Sequence, residues 1–171
     1  VLKTTTHGGN VESDDATDIV FVHSDDSTVL DYHIESYAST IGELYAWVEV
    51  QDISAAEDKT FYMYYGKSGA SDLSNESGTF DALGEVGVWH LNESGDGSAG
   101  EFVDSTSNNN DGQGGGGDSS RAPTQTTGRI GNGQEFDAST DEYIDIPDDN
   151  TLDQTSAITI SFWANTDAGQ N

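Results

Sequence analysis

The sequence predicts an all-β protein built as two β-sandwich or jelly-roll modules, the second incomplete. Three observations carry this. Apolar residues come in short runs rich in Val, Ile, Tyr, Phe and Trp, several alternating with polar residues at the period of a half-buried strand. Clusters of Gly, Asn, Asp and Ser separate the runs, as turns require. No stretch sustains helical periodicity over about ten residues.

Taken in order, residues 1–17 are polar and aperiodic. Asp18-Ile19-Val20-Phe21-Val22 reads as a buried strand, Ser24-Asp25-Asp26-Ser27 as a turn, and residues 29–37 as the partner strand of a hairpin. Residues 44–50 form the next strand. Residues 60–65 are the strongest, with Phe61, Met63 and Tyr65 on one face and Tyr62 and Tyr64 on the other, because strand side chains alternate. Gly66 ends it, and residues 67–83 read as a polar linker with a helical turn at 70–73. Val86 to Glu93 is expected to open the second module as a strand, with Val86, Val88, His90 and Asn92 on one face. Three more strands are expected at 130–136, 143–146 and 158–164; Pro147, lacking an N–H, ends the second of these.

The charge narrows the function classes. Five basic residues stand against 32 acidic ones, a net charge of -27 spread along the chain. Such a chain cannot neutralise phosphates, so nucleic acid and anionic membrane surfaces are not expected partners. It repels itself in dilute buffer, whereas at about 1 M salt the Debye length is roughly 3 Å and the repulsion is screened. Dispersed acid with only Lys3, Lys59 and Lys67 points to life in strong brine. There is no cysteine, hence no disulfide or thiolate metal site. No apolar run reaches the length of a membrane span, so no direct membrane insertion is expected. Val1-Leu2-Lys3 reads as an internal start.

Two resemblances emerge from these residues. Asp18-Ile19-Val20-Phe21, the run from Leu30 to Tyr37, Ala46-Trp47-Val48-Glu49-Val50 and the run from Phe61 to Gly66 together resemble the DUF2341 family, secreted β-domains of unknown function in bacterial and archaeal surface proteins. Val88 to Glu93, Asp104-Ser105, Asn110-Asp111-Gly112, residues 131–137, residues 141–147 and Thr159 to Trp163 resemble a LamG-like, concanavalin A-type jelly roll. The resemblances divide the chain into residues 1–83 and 84–171, each a module that looks cut. They imply a non-enzymatic extracellular module of a halophilic surface protein, acting in adhesion or glycan binding. The alternatives are a structural subunit of an extracellular filament and an accessory binding region of a secreted carbohydrate-active enzyme. Expected partners are glycans, other surface proteins, or further copies joined through unpaired strand edges such as 159–163.

Chemistry-bearing residues are few. Enzymes resembling family-16 glucanases carry Glu-x-Asp-x-x-Glu; here Glu135-Phe136-Asp137 opens the pattern but position 140 is Thr140, so no hydrolase activity is expected. Asp104-x-Thr106-x-Asn108 presents oxygens at alternating positions, which hard cations favour. Asp104 and Asn108, with Asp137, Asp141 and Glu93 as contributors, are therefore the candidates for a calcium site; the alternative is an Asx-turn in a polar loop, since Gly115 stands where the later bidentate Glu of an EF-hand loop would be. The four histidines show no ligand spacing, and His90 reads as a packed strand residue. Gly114 to Gly117 lacks the Lys-Ser/Thr of a phosphate loop. Trp47, Tyr62, Tyr64, Trp89, Tyr143 and Trp163 are the candidates for stacking on sugars, although most are expected in the core. Asn75-Glu76-Ser77 and Asn92-Glu93-Ser94 fit the N-glycosylation sequon at Asn75 and Asn92.

Overall fold

Asp18 shows how the first part of the chain is tied. Its buried carboxylate accepts the backbone N–H groups of Glu12 (2.9 Å), Ser13 (3.0 Å) and Gly66 (2.7 Å). One side chain thus serves three donors that would otherwise be left without partners, which makes its burial tolerable. Around it, the computed structural model describes residues 2–51, 53–82 and 84–166.

The first strands are β1 (Val20–His23), β2 (Tyr32–Ala38), β3 (Glu43–Val48) and β4 (Phe61–Tyr64). A short α-helix, α1 (Glu76–Asp81), follows. The later strands are β5 (Gln113–Gly114), β6 (Thr124–Thr127), β7 (Asn132–Glu135) and β8 (Ile144–Asp145). Among the described residues these form antiparallel pairs: β1 with β4, β2 with β3, β5 with β8 and β6 with β7. The all-β class holds.

The core lies between the first two pairs. Val11, Ala16, Ile19, Phe21 and Tyr32 are buried together, with Leu30, Ile34, Leu44, Val48 and Met63 packed against them. Phe21 and Tyr32 meet edge to face at 5.3 Å, and the Tyr32 hydroxyl donates to the Ile19 carbonyl at 2.9 Å. A buried tyrosine is stable only with such a partner. Gly66 ends β4 with φ +90, and a Cβ there would lie 2.7 Å from the Asn10 carbonyl oxygen, so the position requires glycine twice over.

Several elements depart from the expectation. The turn at 24–27 forms, with Val22 bridging Val29, but β2 leaves that hairpin to pair with β3, and β1 pairs with the distant β4. Burial of Ile19, Phe21 and Tyr32 in one core outweighs local pairing. The helical turn expected at 70–73 gives way to α1, whose start is fixed by Asn75 accepting the Gly78 N–H at 3.2 Å. Val86 to Glu93 does not form a regular strand: Trp89 makes an isolated bridge to Asp104, and Leu91 takes φ +58, which breaks the alternation. The expected strand at 158–164 joins no ladder; Ile160, Phe162 and Trp163 are exposed there. Residues 86–166 therefore present short pairs and bridges rather than the two packed sheets expected of a jelly roll.

Candidate functional site

The strand β2 carries a bulge. Its register with β3 runs His33 to Trp47 and Ile34 to Ala46, then shifts to Ser36 with Tyr45, which leaves Glu35 as the extra residue. Bulges re-aim side chains, and here Glu35 ends up with only 5% of its side chain exposed. Three groups converge on its carboxylate. Trp47 Nε1 donates to Oε2 at 2.9 Å, Asn92 Nδ2 donates to Oε1 at 2.7 Å, and His90 Nδ1 lies in direct contact with Oε2.

His90 in turn stacks on His33, ring centres 4.7 Å apart with planes 25° from parallel. Phe80 of α1 closes the back, at 5.4 Å from the His90 ring and 6.1 Å from that of His33. Glu76, the first residue of α1, reaches His33 Nδ1 at 3.8 Å and accepts the Ser105 hydroxyl. His33, Glu35, Glu76, His90 and Ser105 line a cavity of about 260 Å³ together with Ile34, Asn92, Glu93 and Val103. Two buried polar atoms of this lining have no hydrogen-bond partner: His90 Nε2 and Glu93 Oε2.

The electrostatics favour an ionised carboxylate at Glu35 and a neutral ring at His33. Burial pushes the Glu35 carboxyl up, but the hydrogen bonds from His90, Trp47 and Asn92 outweigh it and hold the group below its ordinary 4.5. Burial lowers His33 below its ordinary 6.5, and neighbouring His90 adds to this, while Glu76 and Glu35 act the other way. Among the described residues, His33, Glu35 and His90 form a group whose ligand-type atoms, one from each, all lie within 4.8 Å of one another. Imidazole and carboxylate groups this close can share a proton or hold a cation.

The residues singled out for calcium are placed differently. Asp104 is buried, and both its oxygens are already engaged: Oδ1 accepts the N–H of Val88 (2.9 Å) and Thr106 (3.0 Å), and Oδ2 accepts the Thr106 hydroxyl (2.9 Å) and the Asn110 N–H (3.0 Å). It organises a loop, as an Asx-type turn does. Asn108 turns its amide to the Val86 carbonyl at 3.2 Å. Asp137 is exposed and accepts the Ser139 N–H at 2.8 Å, while exposed Asp141 faces Arg121 at 3.7 Å. Asp104, Asp137 and Asp141 do not gather into a ligand group among the described residues. Glu135 lies on β7 and Glu142 folds back to accept the Asp137 N–H at 2.7 Å.

Both sequon asparagines have their amides occupied. Asn75 caps α1 and donates to Asp31 at 2.8 Å. Asn92 donates to Glu35 and accepts the Asn132 N–H at 2.8 Å.

The aromatic candidates divide. Trp89 is half-buried and donates to the Asn110 carbonyl at 2.9 Å. On β4, however, Tyr62 and Tyr64 are both exposed, their rings 6.4 Å apart on one face. The Tyr64 hydroxyl donates to Asp26, and that carboxylate raises the phenol pKa.

Residues 15–94 match the family described as a domain of unknown function, DUF2341. The DUF2341 match contains every residue of the cavity up to Glu93, and it runs through His90, past the boundary expected at residues 83–84. No curated protein and no solved structure matches the chain. No helix among the described residues is long and apolar enough to cross a membrane.

Proposed function

We propose that the chain is a non-enzymatic binding module of an extracellular surface protein adapted to brine, a DUF2341 domain followed by a LamG-like segment, and that β4 is its contact strand. One observation carries the choice of strand. Phe61, Tyr62, Tyr64 and Tyr65 are all exposed, although they are side chains that a folded chain normally buries. The β4 strand pairs only with β1 among the described residues, so its outer edge is open as well. Aromatic faces stack on the apolar faces of sugar rings, and an open edge offers N–H and C=O groups to a partner.

The net charge of -27 selects the ligand class. The chain offers an anionic polymer no basic patch to bind, and molar salt screens its attraction for a cationic one, so the proposed ligand is a neutral glycan. The test is binding of the chain to a panel of neutral glycans in molar salt, beside a Tyr62→Ala/Tyr64→Ala variant. Retention of the wild type with loss in the variant supports the reading. Equal behaviour of the two removes β4 as the contact strand. Assembly into a filament through the open β4 edge is the second reading, and electron microscopy of the same sample reports on it.

A further inference from the structure

We propose that His33, Glu35 and His90 form a binding site for one divalent transition-metal ion of the zinc class, which joins β2 to the segment around residues 86–94. Four observations support this, and none depends on β4 or on glycan binding. The three residues bring two imidazoles and one carboxylate within 4.8 Å, a mixed nitrogen and oxygen donor set that suits Zn²⁺ and its neighbours in the first transition row. Calcium and magnesium prefer oxygen alone.

The cavity also contains polar atoms that the chain leaves without partners. His90 uses Nδ1 on Glu35, and its Nε2 is buried with none; Glu93 Oε2 is buried in the same state. Buried polar atoms are nearly always satisfied, so two without partners in one cavity point to a missing ligand. Glu35 serves in either of two ways. It ligates directly, or it holds the His90 ring by Nδ1 and turns Nε2 to the ion, as carboxylates behind metal-bound histidines do.

The third observation is charge. Glu35, Glu76 and Glu93 surround two stacked imidazoles, and the available cations elsewhere are few. A bound dication offsets the carboxylates, whereas two protonated rings 4.7 Å apart would repel each other. The fourth is position. His33 and Glu35 sit on β2, while His90 comes from a segment that reaches β2 through side chains, Asn92 donating to Glu35 beside the His90 contact. The loop that follows is held to α1 instead, by Ser105 on Glu76 and by the Ser107 N–H on Asp81 at 3.0 Å. A metal at this seam fastens two parts of the chain that share no strand ladder among the described residues.

The experiment uses the full chain, stripped with chelator and kept in high salt, titrated with Co²⁺ as a spectroscopic probe. The proposal expects one equivalent to give the intense visible bands of a four- or five-coordinate ion with nitrogen ligands. Zn²⁺ should discharge that colour stoichiometrically, and excess Ca²⁺ should not. His90→Ala and His33→Ala should lose the coloured site, while His7→Ala and His23→Ala, changed at exposed histidines, should keep it. If the cavity variants fail to fold, the wild-type titration still decides. Weak, colourless uptake of several equivalents that Ca²⁺ displaces would mean that only surface carboxylates bind, and would overturn the proposal. A coloured site that persists in folded His90→Ala would overturn it equally.

Discussion

Glu35 and His33 make the fold sensitive to acid. Glu35 is held below its ordinary value, so its contribution is present above about pH 4.5 and is lost as pH falls through the depressed folded value. His33 is also depressed, so the unfolded chain takes up the proton first and stability declines as pH drops below about 6.5. The two act in the same direction. Denaturant midpoints of metal-free protein in constant high salt are expected to fall between about pH 7 and about pH 4. A His33→Gln change should flatten the upper part of that decline; an unchanged profile in the variant would remove His33 from the account. Little of this was legible in the sequence. His33 and His90 lie far apart with no ligand spacing, and the bulge that turns Glu35 inward leaves no mark in the pattern of residues. The one available signal was local: His33 and Glu35 are two apart in a strand and so share a face.

At the scale of elements, the strands were legible where apolar side chains alternate and obscure where they do not. Residues 60–65 and 44–50 correspond to β4 and β3 because Met63, Leu44 and Val48 reach the core. The strand β6, Thr-Gln-Thr-Thr, is exposed throughout and pairs with β7 by backbone alone, so hydrophobic patterning could not reveal it. Residues 158–164 show the converse error: the pattern of a strand is there, but no ladder partner is found among the described residues. Gly66 lies just past β4, which ends at Tyr64, and turns the chain away from it with a positive φ. Gly66→Ala is expected to cost about 1–2 kcal/mol, from the positive φ and the contact with the Asn10 carbonyl. Chemical denaturation measures it, and a cost near zero would show that the Asp18 knot yields freely at this end.

For the molecule as a whole, composition speaks more clearly than any motif. A chain carrying -27 with five basic residues has little internal means of offsetting its acids, and among the described residues ion pairs between arginine and carboxylate are sparse, such as Arg121 with Asp141. Many carboxylates instead accept backbone N–H groups in tight loops, as Asp25, Asp118 and Asp149 do. Their charge is thereby used locally but not cancelled. The thermal midpoint followed by circular dichroism is expected to rise steeply from low salt to molar salt, because screening removes the repulsion. A flat dependence would remove the brine-adapted reading and leave the fold unaffected. The claim that this is a binding module working through β4 is tested most directly by mapping amide chemical shifts of the labelled chain in molar salt against a neutral oligosaccharide that it retains. The account predicts shifts clustered on Phe61 to Tyr65 and on the Asp26 turn beside Tyr64. Shifts centred on the exposed Phe162 and Trp163, with β4 silent, would contradict it.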